Sequence, residues 1–194
     1  MGAQINGQGS PTIEIIGVRE LRPVVDYRTI GDRIEAGTFL VAGVLGGGPL
    51  TVTNINPSYL ELALAKLRAM GSIIETDVDS ITISHVGPLK PVDIQTLPHP
   101  GFPTDLQAQF MVLDAIAEGN SVITENVFEN RFMFADEISR MGAEIRIEGH
   151  HALITGVKQL SGAPVQAPDL RGGAALVLAG LIADGQTIVD GIEH

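Results

Sequence analysis

The apolar and polar positions along the chain follow helical and strand spacings in turn. In residues 57–70 the apolar side chains recur on one helical face, and Pro57 suits the first turn; these side chains are Leu60, Ala63, Leu64, Leu67 and Met70. Residues 170–182 are apolar on nearly all sides, which is typical of a helix packed centrally against other helices. Short alternating segments, residues 73–76 and 80–84, predict paired strands.

These patterns recur as an internal repeat of a helix, a strand, a second helix and a hairpin. In the first copy Asp32 opens an apolar helix, Gly48 ends it, and Gly71 caps the second helix. Gly119 and Gly142 repeat the interval between Gly48 and Gly71 in the second copy. One such unit cannot bury an apolar sheet face and two amphipathic helices alone, so the repetition predicts a core formed by stacked units.

The second and third copies predict the remaining elements. The second predicts a helix opening at Asp105, followed by a strand over residues 121–124, a helix over residues 130–141 and a hairpin over residues 144–147 and 152–155. A strand over residues 92–96 links the first copy to the second. The third copy starts at Asp169 and reaches a strand over residues 187–190, and we expect its second helix to be absent. We therefore expect an α/β fold with the first helices of the units inside and the sheets outside.

Composition narrows the classes of function. The 194 residues carry a net charge of -11 and are 44% hydrophobic, which is ample for a packed core. No apolar run is long enough to span a membrane, and no basic segment precedes an apolar one at the N-terminus, so we expect a cytoplasmic protein. The chain has no Cys, and only His150 and His151 are adjacent among its histidines, so we expect no metal site. Acidic charge and 4% aromatic content argue against a nucleic-acid partner.

A proline-rich corner precedes the second predicted unit. Residues 97–104 contain three prolines and a glycine, which hold the backbone extended up to Thr104. A helix then begins, and Thr104 or Asp105 can cap it with a side-chain oxygen. Asp105 is therefore either only a helix cap or a carboxylate fixed for chemistry.

Two longer motifs carry a resemblance to a known family. Residues 98–110 read Pro-His-Pro-Gly-Phe-Pro-Thr-Asp-Leu-Gln-Ala-Gln-Phe, and residues 123–133 read Ile-Thr-Glu-Asn-Val-Phe-Glu-Asn-Arg-Phe-Met. Both closely resemble the UDP-N-acetylglucosamine 1-carboxyvinyltransferases, an enolpyruvyl transferase family that opens peptidoglycan synthesis. Residues 161–163, 169–171 and 176–180 extend the match, which covers essentially the whole chain.

The resemblance implies a fold of two inside-out α/β barrel domains, each of three repeated units with central helices and outer sheets. Family members are considerably longer, so we interpret the chain as a C-terminal fragment. Residues 1–29 would be the tail strands of a missing sister domain. Residues 30–194 would be an enolpyruvyl transferase-like domain of three repeat units, the third truncated. The N-terminal half of the same enzyme would then be a missing partner.

The resemblance also implies a reaction. The family transfers the enolpyruvyl group of phosphoenolpyruvate to the 3-hydroxyl of UDP-N-acetylglucosamine and releases phosphate. This is the first committed step of peptidoglycan synthesis, on which cell wall biogenesis, cell shape and cell division depend. The resemblance implies no cofactor. We expect the isolated chain to be inactive, because half of the active site would be missing.

Three residues are candidates for the site on the strength of the matched motifs. Asp105 resembles the family's residue at the sugar hydroxyl, where a carboxylate can act as base or orienter. Val127 matches a position whose main chain contacts the nucleotide sugar, the alternative being a hydrophobic contact before a helix. Arg131 can bind a phosphate or carboxylate, or can pair with Glu129 or Asp136.

Several alternatives stay open at this point. Asp32, Asp105 and Asp169 occupy related places in the three units and can all be helix caps, and the roles of Asp169 and Arg171 stay open. The chain can also be a fragment of the shikimate-pathway enolpyruvyl transferase, or a binding or scaffolding half without turnover. The apolar face around residues 176–182 leads us to expect self-association of the isolated chain.

Overall fold

The structure, a computed structural model, describes residues 1–193, and the chain divides into two compact units. The first unit is Met1–Ile30, in which strands β1 (Gln4–Asn6) and β2 (Glu14–Ile16) pair antiparallel with all their residues exposed. The second unit begins at Gly31 and contains the remaining elements. The assignment of the first segment to a sister domain stays a prediction.

The second unit contains five α-helices and nine strands within the described residues. The helices are α1 (Arg33–Gly46), α2 (Glu61–Ala69), α3 (Gln107–Ala115), α4 (Ala135–Arg140) and α5 (Leu170–Ile182). Short 3-10 helices, Pro57–Leu60 and Thr104–Leu106, lead into α2 and α3. The strands are β3 (Leu50–Thr53), β4 (Ile73–Thr76), β5 (Ser80–Ser84), β6 (Ile94–Gln95), β7 (Asn120–Thr124), β8 (Glu144–Glu148), β9 (His151–Thr155), β10 (Pro164–Gln166) and β11 (Ile188–Asp190). No helix in this described part is long and apolar enough to cross a membrane.

The three helices α1, α3 and α5 pack against one another in the middle of this unit, as the sequence predicts. Every residue of α3 is buried, because side chains from the other elements surround it on all sides. Gly37 of α1 makes a close approach possible: a Cβ at this position would lie 2.7 Å from Leu106 Cδ1. The high apolar content of these helices therefore reflects their central position in the fold.

The sheets repeat the same arrangement outside these helices. One sheet has the order β3-β5-β4 and is antiparallel, and the next has the order β6-β7-β9-β8. In the second sheet β6 lies parallel to β7. In the third copy of the repeat, β10 lies parallel to β11 in the same way. Ile81, Ile83 and Ile123 are completely buried on the inner faces. The α/β arrangement expected from the repeat, with the first helices inside and the sheets outside, is confirmed, and so is the inside-out fold that the resemblance implies.

Some predicted boundaries differ from the structure. The helix predicted over residues 130–141 is wrong in its first part, because Asn130 adopts a left-handed φ of 54° and α4 begins only at Ala135. Phe132 and Phe134 turn into the core from the intervening turns. The α1 helix ends one residue earlier than predicted, at a left-handed Gly47 with φ 70°. The linking strand is shortened to β6.

Candidate active site

Asp105 does not cap the helix that it was expected to open. The chain enters the 3-10 helix Thr104–Leu106 from Pro103, and no side chain caps that helix. Asp32 and Asp169, in contrast, are caps: Asp32 Oδ1 accepts from the Ile34 and Glu35 amides at 2.7 and 3.2 Å. Asp169 Oδ1 accepts from the Arg171 and Gly172 amides at 2.7 and 2.9 Å. The carboxylate of Asp105 is therefore free from helix capping.

Two arginines approach the Asp105 carboxylate instead. Arg131 Nη2 donates to Asp105 Oδ1 at 2.9 Å, and Arg171 Nε lies 3.7 Å from the same oxygen. The Asp105 side chain keeps 38% of its exposure, so the group is reachable from solvent. Two guanidinium groups on separate elements can together bind an anionic ligand through paired N–H donors.

Arg131 belongs to the loop that follows β7. Its guanidinium carbon lies 5.0 Å from the centre of the Phe128 ring, a cation–π arrangement that fixes the side chain on one face. Arg131 forms its ion pair with Asp105, whereas the sequence left open a pair with Glu129 or Asp136. A cavity of about 450 Å³ lies beside it, between the 128–133 loop and the start of α5.

Arg171 is a site residue that the sequence left without a role. Asp169 caps α5 through the Arg171 amide, so the cap places this arginine in the first turn of the helix. The repeat shows that Asp169 corresponds to Asp32 and that Arg171 lies in the first turn of the helix that follows, but it does not show what Arg171 contacts. Only the packing of α5 beside α3 shows that this cation lies near Asp105.

One main-chain group of Val127, its amide, is already hydrogen-bonded to another residue. Its amide donates to Glu125 Oε1 at 2.8 Å, and its side chain is 37% exposed. Its carbonyl oxygen is then the main-chain group available for a ligand. A second cavity, of about 600 Å³, is lined by residues 125–132 together with Gly149 and His150.

Glu125 contacts both the turn that carries Asp105 and the loop that carries Val127. It is only 3% exposed, and its Oε2 accepts a hydrogen bond from Thr104 Oγ1 at 2.8 Å. Its Oε1 accepts from the Val127 and Phe128 amides at 2.8 and 3.1 Å. Glu125 lies within the motif of residues 123–133, but the sequence alone indicates no role for it, since its importance depends on the tertiary contact with Thr104.

The sequence matches the family described as EPSP synthase (3-phosphoshikimate 1-carboxyvinyltransferase) over residues 1–194. It is 55% identical over 195 residues to a UDP-N-acetylglucosamine 1-carboxyvinyltransferase of Klebsiella pneumoniae, covering all of this chain and 46% of that protein. A protein of the same name from Desulfofundulus thermocisternus is 48% identical over 194 residues, and the match covers 80% of its length.

Solved structures show the same fold. The enolpyruvyl transferase NikO from Streptomyces tendae superposes with a TM-score of 0.83 at 31% identity, covering 100% of this chain and 46% of NikO. An EPSP synthase from Acinetobacter baumannii superposes over 84% of this chain and 39% of its own, with a TM-score of 0.66 at 24% identity. The chain spans about half the length of several of the relatives that it matches.

Proposed function

This chain belongs to the EPSP synthase family of carboxyvinyltransferases, and from its 48% to 55% identity to relatives of that name we propose that it supplies one half of the active site of a UDP-N-acetylglucosamine 1-carboxyvinyltransferase. The reaction adds the enolpyruvyl group of phosphoenolpyruvate to the 3-hydroxyl of the sugar and releases phosphate. The observation that carries the proposal is the Asp105 carboxylate, which is free from capping, open to solvent and flanked by two arginines.

Asp105 would act on the attacking hydroxyl. An alcohol is a poor nucleophile at neutral pH, and a carboxylate within hydrogen-bond reach can accept its proton or orient its oxygen. One oxygen of Asp105 faces Arg131, and a carboxylate has two oxygens with several acceptor sites. Asp105 can therefore engage the sugar without giving up the arginine.

Arg131 and Arg171 would bind the anionic groups of the reactants. Phosphoenolpyruvate carries a phosphate and a carboxylate, both of which match the planar fork of a guanidinium. The two arginines lie on separate elements, the loop after β7 and the first turn of α5, and meet at Asp105. Their convergence supports a site where negative charge develops as phosphate leaves.

The loop at Val127 would bind the nucleotide sugar. The cavity beside it, of about 600 Å³, has the volume of an ordinary small-molecule site. The carbonyl of Val127 offers an acceptor for a donor group of the ligand, because its amide is already used by Glu125. The sugar would then lie between this loop and Asp105.

Two other functions are less well supported. The shikimate-pathway reaction has the support of the family description and of a structural likeness at 24% identity, which shows the fold alone. The relatives of 48% to 55% identity carry the UDP-N-acetylglucosamine name. A binding or scaffolding half without turnover would keep the fold but would not require an uncapped, arginine-flanked carboxylate.

The test uses a chimera in which this chain replaces the segment that it matches in the Klebsiella pneumoniae transferase. Phosphate release is measured with phosphoenolpyruvate and either UDP-N-acetylglucosamine or shikimate 3-phosphate. We expect turnover with the nucleotide sugar only, and none from the 194-residue chain alone. Turnover with shikimate 3-phosphate would favour the second reaction, and a folded chimera inactive with both would favour the scaffold. Full turnover by the chain alone would contradict the half-site proposal.

A further inference from the structure

The buried carboxylate of Glu125 is the strongest polar feature that the proposed chemistry leaves unused. Its side chain has 3% exposure and accepts three hydrogen bonds, from the Thr104 hydroxyl and from the Val127 and Phe128 amides. All three donors are neutral groups. Removal of this carboxylate leaves three partly buried donors without their acceptor, which costs free energy.

The three donors lie on the two segments that carry the candidate site. Thr104 precedes Asp105 in the same 3-10 helix, and its hydroxyl is bonded to Glu125 Oε2. Phe128 holds the Arg131 guanidinium over its ring at 5.0 Å, and its amide is bonded to Glu125 Oε1. Glu125 Oε2 therefore contacts the turn that carries Asp105, and Glu125 Oε1 contacts the loop that carries Arg131.

The loop after β7 has a second anchor, at Thr96. The Asn126 amide donates to Thr96 Oγ1 at 2.9 Å, and the Thr96 amide donates to the Thr124 carbonyl at 2.9 Å. These bonds fix the start of the loop against the β6 end of the sheet. Two side chains then join this fixed loop to the turn that carries Asp105: Arg131, through Asp105 itself, and the buried Glu125, through Thr104.

We propose that Glu125 is a positioning residue, whose carboxylate sets the placement of Asp105 relative to Val127 and Arg131. This inference rests on the proposed function for its effect on turnover. Positioning acts on rate because small displacements of reacting groups are expensive: a shift of about 1 Å can cost on the order of 10²-fold. The Glu125 carboxylate would act through the three donors that it holds, and not by a bond to the reactants.

The substitutions separate the two sides of the bridge. Thr104→Val removes only the hydroxyl link to Glu125, at nearly constant volume, whereas Thr104→Ser keeps it. Glu125→Ala removes all three acceptor contacts, whereas the amide of Glu125→Gln can accept from the two backbone amides and donate to the Thr104 hydroxyl. Glu148→Ala, which removes an exposed carboxylate from β8, is the matched control.

In the chimera we expect Thr104→Val to lower kcat about 10-fold and Glu125→Ala to lower it about 10²-fold. Thr104→Ser and the Glu148 control should stay within about twofold of wild type, and Glu125→Gln should recover most of the Glu125→Ala loss. In an Asp105→Asn background, Thr104→Val should cost less than about twofold, because residues that act through one another are not additive. A merely structural role would cost the same factor in both backgrounds.

An equal cost of Thr104→Val in the two backgrounds, or wild-type kcat for Thr104→Val, would overturn the proposal. If Glu125→Ala fails to fold, the comparison of Thr104→Val with Thr104→Ser still tests the proposal. If the wild-type chimera is inactive, the proposed function fails separately, and crystal structures of the 194-residue chain test the positioning. The Asp105–Arg131 contact should then persist with Thr104→Ser and be lost with Thr104→Val, and its persistence with valine would overturn the proposal.

Discussion

Arg131 Nη2 donates a 2.9 Å hydrogen bond to Asp105 Oδ1, which joins the loop after β7 to the turn before α3. These segments are distant in sequence and are neighbours only because the second repeat folds its helix against its own sheet. The pair is partly exposed, with 21% and 38% of the two side chains accessible. An ion pair this accessible contributes little to the free energy of folding, so its main effect is to hold the two charged groups in place at the candidate site.

Asp105→Asn should therefore separate chemistry from stability. Asparagine keeps the shape of the side chain but removes the charge and most of the basicity, so we expect kcat of the chimera to fall about 10²-fold. The free energy of unfolding should change by less than about 1 kcal/mol, as for other partly exposed pairs. Steady-state kinetics and denaturant unfolding measure the two effects. Unchanged kcat would remove Asp105 from the reaction.

The three related aspartates should differ when each is changed to alanine. Asp32 and Asp169 cap α1 and α5, so each substitution should lower the free energy of unfolding by about 1 kcal/mol. Asp105 caps no helix and should cost less than either. The Asp32→Asn variant is the control, since asparagine caps about as well as aspartate. Equal losses at all three positions, measured by urea unfolding, would show that Asp105 also supports its helix.

The sequence predicts the regular parts of the fold well because local signals agree there. The α5 helix begins after a capping Asp169 and extends over the apolar run as predicted, Leu170–Ile182. The hairpins are predicted from alternation, and β4 and β5 have the predicted bounds. In these segments propensity, periodicity and capping all favour one structure.

The site is harder to predict, because it depends on contacts between distant segments. Residues 130–134 contain helix-forming patterns, but tertiary packing of Phe132 and Phe134 holds them in turns. An aspartate before a helix is normally a cap, and only the structure shows Pro103 at that position instead. Arg171 and Glu125 have no local signal for their contacts with the Asp105 turn.

Asp114 at the end of α3 should make stability depend on pH. It is 1% exposed, and burial is the main reason that its pKa rises from 3.8 to about 7. The nearby Asp93 raises its pKa further, whereas the Val92 amide bond and Lys66 lower it. The folded state therefore holds a proton that the unfolded state releases above about pH 4. Stability should be highest below pH 4 for this group and should fall as pH rises to about 7.

The Asp114→Asn variant tests this dependence. Its amide oxygen can still accept from the Val92 amide, as Asp114 Oδ1 does at 3.0 Å, but it carries no charge at any pH. At pH 8 the variant should be more stable than wild type by a few kcal/mol, since each pKa unit corresponds to about 1.4 kcal/mol. At pH 4 the two should be nearly equal. Urea unfolding at both values measures this, with Glu118→Gln as an exposed control. A constant difference between pH 4 and 8 would contradict the assignment.

The outer face of α5 should cause the 194-residue chain to associate with itself. Leu170, Val177 and Leu181 lie on one helical stripe and are each at least half exposed, and Ile188 of β11 is similarly exposed. Apolar side chains of this size gain about 1.5 to 3 kcal/mol each when buried, so several together favour association. Contiguous exposed apolar side chains are typical of protein–protein contact surfaces, so we expect this stripe to form the contact between two copies of the chain.

Charging the stripe should reverse the association. The double variant Val177→Lys with Leu181→Lys places two cations on the stripe, and we expect it to sediment as a monomer and to lose binding of an apolar dye. Val78 is the control, because it is 85% exposed but lies on the turn between β4 and β5, away from the stripe. Val78→Lys should leave association unchanged. A wild-type chain that is a compact monomer without dye binding, and that melts sharply above about 60 °C, would show that this face needs no cover.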